Sequence, residues 1–318
     1  MKTIKRKIDV PEHIDSRQSV SLKYLGNKRE ISISERHNAG ATIMPISKEE
    51  YILLSTGEVK RFSNHAANRT ENIRNLEKSV RGLSDIINVN ITPENVECCR
   101  FITLTYKENM TDSERLYHDF RNFNKRFKRH MEQLGHSYEY IVSVEAQGRG
   151  AFHLHCIFIF AGKAPYIENS VLAEMWGLGF VSIQAMNKNI DDIGKYLTAY
   201  LTDLPVDDTD FAAELAGGQV KEVNAAGKSK RIIKGARLKL MPVGMRIYRY
   251  SKGIKKPMVK TLPYGEALQR LSCAGYSKVG EYALEIQGVE QRDFKTRYIK
   301  QIYKKHINTL MKKGGEDT

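Results

Sequence analysis

The chain has 318 residues, enough for one large domain or two modest ones, and a formal charge of +14 with a sequence pI near 9.4. That balance favours a polyanionic partner, nucleic acid ahead of an anionic membrane surface. No apolar run approaches the roughly 20 residues of a spanning helix, the basic N-terminus leads into Asp9 and Pro11 rather than an apolar signal core, and the four cysteines lack C-x-x-C spacing. These features argue against a membrane span, a zinc ribbon and a disulfide scaffold, and point to a reduced, cytoplasmic protein.

Residues 1–60 offer short β-like pieces, Glu30–Ser34 and Tyr51–Leu54, between polar turns. From about Asn64 to Ile87 the pattern is helical, with Ile73, Leu76, Val80, Leu83 and Ile87 at three- and four-residue steps. No chemistry attaches to this region: a DNA-contacting accessory domain and plain structural support are equally open, and residues 1–98 are taken as an N-terminal accessory region.

Organised sequence begins near residue 100. Phe101-Ile102-Thr103-Leu104-Thr105-Tyr106 reads as a strand. Thr111 and Glu114 fit a capping box for a helix that buries Leu116, Phe120, Phe123, Phe127 and Met131 and ends near Gly135. Its other face holds Arg121, Lys125, Arg126, Lys128 and Arg129, either solvated or facing DNA.

Two strands follow, Tyr140–Glu145 and Ala151–Phe160, joined by the short Gln147–Gly150 turn. Alternation puts His153 and His155 on one face of the second strand, with Phe152, Leu154 and Cys156 on the other. A hairpin centred on the turn sets Glu145 opposite His153 and Ser143 opposite His155, so two imidazoles and a carboxylate share a face. The bland alternative is a pair of hydrogen-bonded structural histidines.

Next come a short helix ending at Trp176, a strand over Phe180–Ala185, and an amphipathic helix from about Asn189 whose stripe is Ile190, Ile193, Leu197, Leu201 and Leu204, stopped by Pro205. The order β-α-β-β-α-β-α predicts an α+β, ferredoxin-like (RRM-like) split βαβ domain over 99–205, with a central antiparallel sheet and an added helix. That helix carries Tyr196 and Tyr200 at i and i+4, neighbours on one face.

Residues 206–236 lack periodicity and read as a flexible linker or insertion. Gly227-Lys228-Ser229 is superficially similar to a P-loop, but Glu222 stands where the leading glycine belongs, which rules against ATP binding. The stretch 237–318 has 18 Lys and Arg against 7 Asp and Glu and reads as a basic, DNA-binding C-terminal region. It includes an aromatic–cation alternation in which Arg246, Tyr248, Arg249, Lys252, Lys255 and Lys256 are candidate DNA contacts. A basic terminal helix is expected over roughly Gln291 to Met311.

A phenol with a pKa near 10 is only ~0.1% ionised at neutral pH, a handicap of about 4 kcal/mol for a phenolate nucleophile. A divalent ion held by His153, His155 and Glu145 could offset it by neutralising charge on a DNA phosphate. Three motifs in order carry a resemblance: Phe101–Tyr106; Gly150–His155 preceded by Glu145; and Lys195-Tyr196-Leu197-Thr198-Ala199-Tyr200. Over about 100–204 the chain resembles HUH endonucleases of the rolling-circle replication initiator (Rep) type. The resemblance implies His153, His155 and Glu145 as metal ligands for Mn2+ or Mg2+, with Tyr196 and Tyr200 as nucleophiles. Many relatives place a lysine three residues after the tyrosine; here Ala199 and Asp203 stand at those positions, and Lys195, just before Tyr196, is the candidate substitute. The implied activity is nicking and rejoining of one strand at a single-stranded or hairpin origin, with a host helicase extending the unwound region. Alternatives are a non-catalytic ferredoxin-like nucleic-acid-binding protein, an HUH relaxase or transposase, and a non-haem iron oxygenase, which leaves the tyrosines without a role.

Overall fold

The computed structural model describes residues 3–35, 43–47, 49–62, 73–147, 150–186, 194, 197–198, 204–205, 220–225, 228–233, 240–242, 244–288 and 295–305. From the N-terminus come β1 (Thr3–Ile8), β2 (Ser19–Leu25), β3 (Lys28–Ser34), β4 (Ile43–Pro45), β5 (Glu50–Leu53), β6 (Val59–Arg61) and α1 (Ile73–Asn90). β7 (Cys99–Leu104), α2 (Ser113–Gln133), β8 (Tyr138–Ala146), β9 (Phe152–Phe160), α3 (Asn169–Trp176) and β10 (Val181–Ala185) follow. The remainder holds β11 (Leu204–Pro205), β12 (Val220–Ala225), β13 (Lys228–Ile233), β14 (Tyr248–Tyr250), β15 (Met258–Pro263), α4 (Tyr264–Cys273), β16 (Tyr276–Gly288) and β17 (Lys295–Lys305).

Residues 63–256 form one compact unit. Its five-stranded antiparallel sheet has the order β10-β7-β9-β8-β14. The first four strands lie as 4-1-3-2 of their β-α-β-β-α-β sequence, compatible with the ferredoxin-like plan, and β14 adds an edge strand beside β8. Period-two burial explains the layering. Phe152, Leu154, Cys156, Phe158 and Phe160 of β9 face α2, whose Leu116, Phe120, Phe123, Phe127 and Met131 are all buried against them. The opposite face carries Phe101, Ile141 and Ile157, packed against Leu83, Ile86 and Ile87 of α1. The helix cap differs from expectation: Asp112, not Thr111, is the N-cap, its carboxylate accepting from the Glu114 and Arg115 amides. Aspartate supplies the same acceptor, so one residue's shift satisfies the helix end equally well.

The second unit joins residues 1–62 to 257–318. Its six-stranded sheet, β1-β16-β17-β3-β2-β15, interleaves strands from both ends of the chain, and α4 covers one face through Ala267 and Leu271. The divisions expected after 98 and 236 therefore do not coincide with the compact units. The strands of either end alone leave their ladders unpaired, and the two sets complete each other. The expected terminal helix is strand β17 where it is described. Ile299, Gln301 and Tyr303 alternate into the core while Tyr298, Lys300 and Lys304 are less buried, a period of two that the basic composition obscures. In the expected linker, Val220–Ala225 and Lys228–Ile233 pair as a hairpin beside β11, drawing on Val223, Ile232 and Ile233.

Within this six-stranded sheet Glu30 is buried between Lys28 (Nζ to Oε1, 3.0 Å) and Lys300 (Nζ to Oε2, 2.7 Å). Burial alone would raise its carboxyl, but the Lys300 hydrogen bond and both ammonium charges outweigh it and hold the group below the ordinary carboxylate range. A folded-state value below the unfolded one gives stability that is complete above about pH 4.3 and is lost as pH falls through the folded value. Glu30→Gln should therefore cost about 2 kcal/mol at neutral pH, with the difference from wild type shrinking in acid. Urea midpoints at about pH 7 and about pH 3 test this.

Candidate functional site

The site lies on the α1-facing side of the five-stranded sheet. Rows of cross-strand partners build it: Phe101, Ile157 and Ile141 in one row, Thr103, His155, Ser143 and Tyr248 in the next, then His153 and Glu145. The turn between β8 and β9 fixes this register. Gly150 donates its amide to the Gln147 carbonyl (2.8 Å) at φ +86°, a conformation glycine adopts without strain. Glu145 thus stands opposite His153 and Ser143 opposite His155, the pairing expected from the turn's position.

His155 is gripped from three directions. Its Nε2 contacts Glu145 Oε2, its Nδ1 lies 3.2 Å from Thr103 Oγ1, and its ring stacks on Phe101 with centroids 5.5 Å apart. The His155 and Glu145 side chains are each only 11% exposed. Sequence reasoning misses Thr103 as a site residue, although alternation along Phe101–Thr105 already pairs it with a histidine strand. Its hydroxyl can donate or accept, so it serves either imidazole tautomer, and with Nδ1 committed to Thr103 the Nε2 lone pair is available to an electrophile. His153 is half-buried on the same face.

Among the described residues, no group of three or more His, Cys, Asp or Glu side chains is gathered closely enough to hold a metal ion. The structure brings Glu145 and His155 into contact, while His153 shares their face and register without closing a triad. The donor set nevertheless suits a divalent cation: two imidazoles and one carboxylate project from adjacent rigid strands, and one imidazole already has an oriented outer partner.

Lys195, Tyr196 and Tyr200 lie outside the described residues. Their neighbours Gly194, Leu197 and Thr198 are helical, and Leu197 is buried with Leu83, Ile87, Ile141 and Ile157, on the sheet face that carries the histidines. Of the candidate DNA contacts, Arg246, Lys252, Lys255 and Lys256 are exposed. Tyr248 and Arg249 are half-buried and engaged in packing. Tyr248 stacks with Tyr250 and closes on α1 at Gly82, and the Arg249 guanidinium sits 3.4 Å from the Tyr117 ring centroid. At the other edge of the sheet, Thr105 ties the end of β7 to the start of β10: its hydroxyl donates to the Phe180 carbonyl (3.0 Å) and accepts from the Phe180 amide (3.1 Å). The cysteines are free thiols. Burial pushes Cys99 up to about 12 and raises Cys156 as well, so neither is poised as a nucleophile. Among the described residues no helix is long and apolar enough to cross a membrane.

The model of the replication-associated protein ORF2 family matches residues 99–204, the stretch from β7 to the start of β11. No curated protein and no solved structure matches the chain. The match, spanning the sheet, the histidine hairpin and the tyrosine segment, identifies residues 99–204 as the domain of a rolling-circle Rep-type replication protein.

Proposed function

We propose that the chain initiates rolling-circle replication by nicking one DNA strand through tyrosine attack, and later rejoins strands by the reverse chemistry. The observation that carries this reading is the β8–β9 register, which sets Glu145 and His153 opposite one another beside the Glu145–His155 contact, within the replication-family segment. The oxygen of Tyr196 or Tyr200 attacks the scissile phosphorus, the phenol proton passes to solvent or a basic neighbour, and the bond to the 3′ oxygen breaks. The products are a 5′-phosphotyrosine link and a 3′-OH, which primes synthesis. Bond energy is retained in the link, so attack by a second hydroxyl reseals DNA without ATP. Lys195, adjacent to Tyr196, offers a cation for the phenolate or phosphate. A divalent ion such as Mn2+ or Mg2+, when held by His153, His155 and Glu145, would supply charge neutralisation at the phosphate. Exposed Arg246, Lys252, Lys255 and Lys256 provide backbone contacts that weaken with salt. A helicase from the host would unwind the duplex beyond the nick.

The test is covalent capture. The protein is incubated with Mn2+ and 5′-labelled and 3′-labelled single-stranded oligonucleotides tiling the DNA that flanks its coding sequence, then run on denaturing gels. A label that stays with the protein only from the 3′ side of the nick, is lost with chelator, and maps to Tyr196 or Tyr200 by peptide mass spectrometry supports the proposal. DNA binding that survives chelator without any cleavage would instead favour a non-catalytic binding module.

A further inference from the structure

We infer that α1, which precedes the matched stretch, is the positioning element for the tyrosine segment and acts through Asn88 and Gly194. This rests on reading Tyr196 and Tyr200 as the nucleophiles. Two independent contacts support it. The buried Asn88 side chain accepts the Gly194 amide through Oδ1 at 3.0 Å. Gly194 also lies so close to α1 that a Cβ there would stand 2.4 Å from the Ser84 carbonyl oxygen and 2.8 Å from both Ser84 Oγ and Asn88 Nδ2. Only glycine permits that approach.

One turn on, Leu197 and Thr198 are buried, Leu197 among Leu83, Ile86 and Ile87 of the same helix, and Thr198 Oγ1 donates to the Gly194 carbonyl at 2.8 Å. In sequence Tyr196 lies between these two anchors. The hydrogen bond to Asn88 fixes the segment's slide along α1, and the Leu197 socket fixes its rotation, leaving little freedom for the residue between them.

The platform is itself secured to the sheet. Asn90 donates to the Lys255 carbonyl (2.8 Å) and accepts its amide (2.9 Å), while Ile86 and Ile87 share a cluster with Ile141 and Ile157. Ile157 follows His155 by two residues on the same strand face. One rigid path therefore runs from the histidine strand through α1 to Gly194. In-line attack tolerates little misplacement, and an error of about 1 Å can cost about a hundredfold in rate. The length of the catalytic unit follows: a fragment cut at the matched boundary lacks the helix that seats its nucleophile.

Full-length Gly194→Ala, Asn88→Leu and Asn88→Asp proteins are compared by three readouts: affinity for an uncleavable methylphosphonate oligonucleotide, rate of covalent adduct formation, and the division of adduct between Tyr196 and Tyr200 by mass spectrometry. Gly194→Ala and Asn88→Leu should slow adduct formation about tenfold to a hundredfold and alter the division, with DNA affinity nearly unchanged. Asn88→Asp retains an oxygen acceptor and should recover to within about threefold of wild type. Wild-type rate and division in both disruptive variants would overturn the inference, as would losses of affinity that match the losses of rate. Failure of the underlying reading is distinct: adducts would then persist when both tyrosines are phenylalanine.

Discussion

Phenylalanine at both Tyr196 and Tyr200 is expected to abolish covalent capture of DNA, by more than about a thousandfold, because the ring remains while the attacking oxygen is gone. DNA affinity should stay within about twofold, since phosphate contacts from arginine and lysine dominate binding. Each single substitution should leave part of the first cleavage but lose the second transfer, as alternating roles need two hydroxyls. On denaturing gels the double variant should show free oligonucleotide only, and each single variant an adduct confined to the surviving tyrosine. An adduct of wild-type intensity in the double variant would place the nucleophile elsewhere in the chain.

The second large effect concerns stability. Trp176→Ala should lower the unfolding free energy of the 63–256 unit by about 4 kcal/mol. Trp176 is fully buried at the C-terminal end of α3, packs edge-on against Tyr106 and Phe123 with centroids 5.1 and 5.8 Å away, and donates its indole N–H to the Thr105 carbonyl at 2.6 Å. Alanine forfeits the ring contacts and the hydrogen bond together. Trp176→Phe keeps most of the area and should cost roughly 1–2 kcal/mol, chiefly for the abandoned carbonyl. This is the chain's only tryptophan, so denaturant titrations must be followed by far-ultraviolet circular dichroism rather than indole fluorescence. A loss below about 1 kcal/mol for the alanine variant would show that the shell collapses around the gap.

The hairpin is legible in the sequence because two local signals agree. Alternation assigns His153 and His155 to one face, and the glycine-bounded turn sets the register that brings Glu145 across. The α2 stripe from Leu116 to Met131 is legible for the same reason, as a long periodic element with a clear stop at Gly135. Two features are not. The role of α1 rests on Asn88 and Gly194, 106 residues apart, and nothing in either local sequence announces a partner. The β17 strand is hidden because Lys and Arg at its ends dominate the composition, while the pairing that makes it a strand comes from β3 and β16. Thr103 is an intermediate case: its alternation is visible, but only the β7–β9 register pairs it with His155.

The interleaved sheet of the 1–62 and 257–318 unit makes the replication domain an insertion within another domain. Ser32 and Tyr298, which share a hydrogen bond across β3 and β17, are 266 residues apart, so the emerging N-terminal strands lack their C-terminal partners until synthesis is nearly complete. The 63–256 unit leaves the ribosome first as a contiguous piece and, as it condenses, shortens the loop that the late strands must close. A nick or truncation near either terminus therefore strips strands from the whole outer sheet, and its exposed ladders become the route to aggregation.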